Sequence, residues 1–88
     1  MEKAPVEKKL VGKVSHYFTK IGVGVIDLSD ELKVGDKISI EGATTNVQQT
    51  VKSIEIEHKK VQVAGAGESF GLEVGQRVRE GDVVYKIS

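Results

Sequence analysis

The chain has 88 residues, with thirteen Lys and Arg against thirteen Asp and Glu and a formal net charge of zero, which argues against general coating of nucleic acid by phosphate attraction while leaving a local basic patch open. It has no cysteine, so disulfides and thiolate metal sites are excluded. There is no run of about 18 apolar residues and no apolar block behind basic ones, so neither a membrane span nor a secretory leader is expected, and the expectation is a single cytoplasmic domain with no membrane partner.

Val and Ile carry most of the apolar content, and β-branched side chains suit a pleated surface. Residues 1–9 are charged around Pro5 and read as a flexible arm ahead of a domain over 10–88. Leu10–Phe18 reads as a first strand, with Leu10, Gly12, Val14, His16 and Phe18 sharing one face and Phe18 in the core. After a short turn at Thr19-Lys20, Ile21–Leu28 reads as a second strand, apolar on both faces. Gly22 and Gly24 sit where a bend or a neighbouring backbone approaches closely.

Gly35-Asp36 is a turn signal, and Ile38 and Ile40 alternate with Lys37, Ser39 and Glu41 as in a half-buried strand. Val47–Glu57 is the longest extended run. Val47, Gln49 and Val51 hold one parity and Ile54 and Ile56 the other, which predicts a β-bulge near Lys52-Ser53. His58-Lys59-Lys60 reads as a polar turn, Val61 and Val63 as a short strand, and Phe70–Val74 as the next. Gly81-Asp82 repeats the earlier Gly-Asp turn before a closing strand at Val83–Ile87. No segment has helical periodicity. About six to seven short strands in so small a chain predict an all-β fold, a small closed antiparallel barrel without exposed edges.

Gly65, Gly67 and Gly71 come near a dinucleotide fingerprint, but the spacing is wrong and no helix follows, so the stretch reads as a turn and no nucleotide cofactor is expected. His16 and His58 are the only histidines and build no familiar metal site. No Gly-x-Ser-x-Gly elbow occurs. Catalytic residues, metals and cofactors are therefore not expected, and the chain reads as a binding module and not an enzyme. Lys59, Lys60, Arg77 and Arg79 form the best candidate basic patch for backbone phosphates, with Tyr17 and Phe18 as a stacking surface.

Five motifs in order resemble a known family: Val11-Gly12-Lys13-Val14, Leu32-Lys33-Val34-Gly35-Asp36-Lys37-Ile38, Val51-Lys52-Ser53-Ile54-Glu55, Ala66-Gly67-Glu68-Ser69-Phe70-Gly71-Leu72 and Arg79-Glu80-Gly81-Asp82-Val83-Val84. Together they are similar to the second, β-barrel domain of elongation factor Tu and related translational GTPases, and most of all to small stand-alone elongation-factor-like proteins. A similar barrel ends some collagenase-type peptidases. The resemblance implies the barrel but not the GTPase, since no Gly-x-x-x-x-Gly-Lys-Ser/Thr loop is present. It implies contact with the ribosome or transfer RNA, with Glu55 matching a glutamate in the pocket for the terminal adenosine. Two positions depart from that pattern, Glu73 where the pocket is apolar and Val25-Ile26 where Gly-Arg is common. The leading expectation is a module associated with ribosome or RNA, and the alternative is a protein-interaction module docking onto another enzyme or factor.

Overall fold

The computed structural model describes residues 8–87, so the expected arm lies outside the described residues except for Lys8 and Lys9, which already belong to the first strand. The described residues form ten strands and no helix: β1 Lys8–Phe18, β2 Val23–Leu28, β3 Leu32–Lys33, β4 Lys37–Glu41, β5 Asn46–Thr50, β6 Ile54–Ile56, β7 Lys59–Val61, β8 Val63–Ala64, β9 Ser69–Glu73 and β10 Val83–Ile87. All the pairings are antiparallel. Eight strands make one sheet in the order β5-β4-β10-β1-β2-β9-β6-β7, and β3 pairs with β8 in a small second sheet. The all-β antiparallel class is as expected. Closure is not: β5 and β7 end the large sheet and no ladder joins them.

The core follows the β-branched content. Val11, Val14, Ile26, Leu32, Ile38, Ile40, Val51, Ile54, Phe70, Leu72, Val78 and Val84 are all buried in one cluster. The long first strand bends over it through two irregularities. Its register with β10 slips between Leu10 and Gly12, and its register with β2 slips between Val14 and His16. Each extra residue flips the side-chain parity, so Val11 and Val14, an odd number of positions apart, are both buried. Leu10 and Phe18, expected on the same inner face, are left 53% and 45% exposed.

The face switch predicted in Val47–Glu57 is present, but a break in the strand replaces the bulge. Val51 leaves the ladder and bonds the Gly35-Asp36 turn instead, its N–H donating to the Asp36 carbonyl at 2.8 Å and its carbonyl accepting from the Gly35 N–H at 2.8 Å. The chain re-enters the sheet as β6 with Ile54 facing in. Ser39, expected on the solvent face of β4, is fully buried, because β5 and β10 flank it with Gln48 and Tyr85 directly opposite.

Three turns share one construction. In Lys33–Asp36, Gly65–Glu68 and Arg79–Asp82, the fourth residue's N–H bonds the first residue's carbonyl at 3.1 Å, and the third residue is a glycine at φ between 88° and 99°. That is the type II pattern, which requires positive φ at its third position. In each turn the fourth residue is an acid whose carboxylate accepts from the first residue's N–H: Asp36 from Lys33 at 2.9 Å, Glu68 from Gly65 at 2.6 Å and Asp82 from Arg79 at 2.8 Å. The glycine stretch at 64–68 is thus one of three acid-latched turns. Its Gly67 N–H also donates to the Leu28 carbonyl at 2.9 Å, which ties the turn to the end of β2.

Candidate interaction surface

The basic side chains singled out from the sequence fall into two groups. Lys59 and Lys60 lie on β7, the strand that ends the large sheet, and Lys60 is directly opposed by Glu55 on β6. Glu55 is exposed on the outer face and also faces Gly71 of β9. Arg77 and Arg79 belong to the connection between β9 and β10, where they line a cleft of about 400 Å³ with Tyr17, Thr19 and Glu80. Arg79 is held there, its Nε donating to Thr44 Oγ1 at 3.0 Å. No hydrogen bond or ion pair among the described residues links the two groups, and each basic pair has an acid beside it.

Tyr17 stands with the arginines. Phe18 packs its ring edge-on against His16, with centroids 4.4 Å apart. His16 Nδ1 lies 3.0 Å from Glu80 Oε2 on the exposed surface, and His58 is an exposed turn residue. Among the described residues no three of His, Cys, Asp and Glu gather as a metal site would need. No helix there is long and apolar enough to cross a membrane.

Two surface features have the shape of contact sites. One is a mostly apolar depression of about 490 Å³ on β1, β2 and β10, where Leu10, Leu28, Val83 and Tyr85 meet the directly opposed Lys13 and Asp27. Leu10 stands out of it because the irregularity at Val11 turned it outward. The other is a cleft of about 410 Å³ between β5 and the far end of β9, lined by Ile21, Gln49, Lys52, Leu72, Glu73 and Val74 among others. Ile21 on its rim is 65% exposed. Gln49 reaches across, Nε2 donating to the Glu73 carbonyl at 2.9 Å and Oε1 accepting from the Gly75 N–H at 3.4 Å. Neither feature was read from the sequence. Leu10 looked like core until the slipped register is known, and Gln49 meets residues 24 and 26 positions away with no local pattern to announce it.

No protein-family model matches the chain. It is 45% identical over 76 residues to an uncharacterized protease of Methanocaldococcus jannaschii, matching 85% of this chain and 19% of that one. It is 38% identical over 82 residues to a collagenase of Porphyromonas gingivalis, matching 91% of this chain and 23% of the relative. The chain therefore spans about a fifth of the length of these relatives. In fold it is similar to the C-terminal domain of a Geobacillus thermoleovorans protein assigned to the U32 peptidases, with a TM-score of 0.82, 17% identity, and coverage of 89% of this chain and 91% of that one.

These findings overturn the translation-factor resemblance and ribosome binding with it, and they give RNA association no support. Elongation factor 1-alpha also matches, but at a lower level, 35% over 86 residues for the Archaeoglobus fulgidus protein. The physical reason is in the turns. Two of the five motifs contain a whole acid-latched turn and a third contains its glycine and acid, and the sequence of such a turn is dictated by positive φ and a carboxylate cap. Any family built on this backbone needs it, so the motifs report the fold and not the partner.

Proposed function

We propose that the chain is a non-catalytic protein-interaction module that docks onto the catalytic unit of a U32-type peptidase, in the cytoplasm. The observation that carries this reading is the 45% identity to a protease of which the chain matches only 19%, the share expected of an accessory domain. The collagenase match and the likeness to a peptidase's C-terminal domain point the same way. In this reading the sheet is a barrel with an open seam, bridged by the Gln49 side chain where a ladder would close it.

The docking surface on this reading is the depression around Leu10 and Tyr85. An apolar centre with a charged pair at its margin is the general anatomy of a protein contact. The test is capture of the peptidase catalytic unit by the tagged chain, with crosslinks mapped by mass spectrometry. A crosslink from Lys13 and loss of most of the capture on Leu10→Asp are expected, since Leu10 is exposed and its replacement leaves the core untouched. Failure to capture the catalytic unit, or hydrolysis of gelatin by the purified chain alone, would overturn the reading.

A further inference from the structure

The ladder between β6 and β9 consists of one pair, Glu55 with Gly71. Strand β9 runs on past it. In an antiparallel ladder, successive residues aim their backbone groups to opposite sides. Val74 aims its N–H toward β2, donating to the Gly22 carbonyl at 2.9 Å. Glu73 and Gly75 therefore aim theirs outward, into the cleft between β9 and β5. The groups that meet them there belong to a side chain: the Gln49 carboxamide donates to the Glu73 carbonyl and accepts from the Gly75 N–H.

A donor to one residue's carbonyl together with an acceptor from the N–H two positions on is what one residue of a parallel strand offers its neighbour. The Gln49 carboxamide thus stands in for the N–H and C=O of one strand residue, in a cleft of about 410 Å³, within the roughly 300–1,000 Å³ of ligand sites. The rest of the cleft suits an uncharged strand. Leu72 and Val74 form its floor and Ile21 its apolar rim, while Lys52 and Glu73 bring one charge of each sign.

We propose that this cleft accepts an extended, uncharged peptide segment of the partner by strand addition along Glu73–Gly75, the segment's backbone displacing the Gln49 carboxamide. The proposal rests on the protein-interaction reading and adds to it the partner's chemistry. Main-chain bonds supply the binding, and alternate apolar side chains of the segment lie against Ile21. Gln49 acts as a latch that satisfies the edge while the cleft is empty, which also blunts an otherwise open edge.

The test is an NMR titration of the full chain with the capped peptide acetyl-Thr-Val-Thr-Val-Thr-amide and with two N-methylated forms, one methylated on its threonines and one on its valines. Saturable shifts are expected at the Glu73 and Gly75 backbone amides and at the Gln49 side-chain amide. One methylated form should bind at least about tenfold more weakly and the other about as well as the parent, because a strand turns alternate N–H groups to opposite sides. Gln49→Ala, with its fold checked by melting, should bind the parent about fivefold more tightly, since no latch has to be displaced. Shifts confined to other residues, no shifts, or equal weakening by both methylated forms would overturn the proposal. Continued capture of the peptidase in that case leaves the docking reading standing. Loss of both would remove both.

Discussion

At the scale of single residues, the β6–β7 hairpin carries a conformational cost that its side chains do not offset. Glu57 and His58 both lie at positive φ, 51° and 66°, between the paired Ile56 and Lys59. A two-residue loop with both φ values positive is the type I′ turn, whose favoured occupants are Asn and Gly. For other L-residues the left-handed region costs roughly 1–2 kcal/mol. Both side chains are exposed, and no hydrogen bond is formed by either among the described residues. His58→Gly should therefore stabilise the protein by about 0.5–1 kcal/mol after glycine's greater loss of chain entropy, read as a higher urea midpoint at unchanged slope. The opposite outcome is expected at Gly42. A Cβ there would overlap the Asp82 carboxylate, which is 6% exposed and holds the turn before β10. Gly42→Ala should cost about 1–3 kcal/mol, the scale of dislodging a buried bonded group, and the same urea series measures it.

At the scale of elements, the three acid-latched turns set where strands begin. Each latch satisfies an N–H that the turn leaves without a ladder partner. The latches differ in burial, and their removal should differ accordingly. Asp82→Ala should be the most damaging, at about 2 kcal/mol, because Asp82 is buried and the Arg79 N–H would be left unpaired. Asp36→Ala should cost about 1 kcal/mol, and Glu68→Ala less, since Glu68 is exposed and water can replace it. Equal losses at all three positions would show that burial does not rank them. These turns are also why the strand layout was legible in the sequence: a glycine followed by an acid between β-branched runs states its own geometry. The two register slips in β1 carried no such signature. Val11 and Ser15 are ordinary strand residues, and only pairing with β10 on one side and β2 on the other makes them surplus. The misplacement of Leu10 and Phe18 follows from that, since one unseen extra residue exchanges inside for outside. The cleft latch was illegible for a related reason. Gln49 matters for what lies across the seam, and a single chain read in order has no seam.

At the scale of the whole molecule, two exposed ion pairs fasten the start of β1 to distant parts of the chain and give folding a predictable response to pH. Lys8 reaches Glu41 on β4 at 2.6 Å, and Lys9 reaches Asp30, beyond β2, at 2.9 Å. The hydrogen bond from Lys9, then the Glu31 N–H, hold the Asp30 carboxyl below its ordinary 3.8. The hydrogen bonds from Lys8 and from Ser39 hold the Glu41 carboxyl below its ordinary 4.5. The bond to Asp30 and its charge raise Lys9 above 10.5. A carboxyl with a depressed folded pKa stabilises the native state above its unfolded value and loses that contribution as pH falls through the folded one. An ammonium with a raised folded pKa stabilises below its unfolded value and loses that contribution as pH rises through the folded one. Both contributions are therefore present between about pH 5 and pH 10, with a decline below 4.5 as Glu41 and Asp30 protonate, and a second decline above 10.5 as Lys9 discharges. The lysines are exposed and the two carboxylates no more than half-buried, so both declines should be shallow and should shrink as salt screens the pairs. Asp30→Asn separates this from general acid unfolding. It should remove the Asp30 share of the acid decline and nearly all of the decline above 10.5, because both come from the one pair, while leaving the Glu41 share in place. Urea midpoints measured from pH 2 to 11, at low and at high salt, check each part. An unchanged alkaline decline in Asp30→Asn would assign it to other lysines.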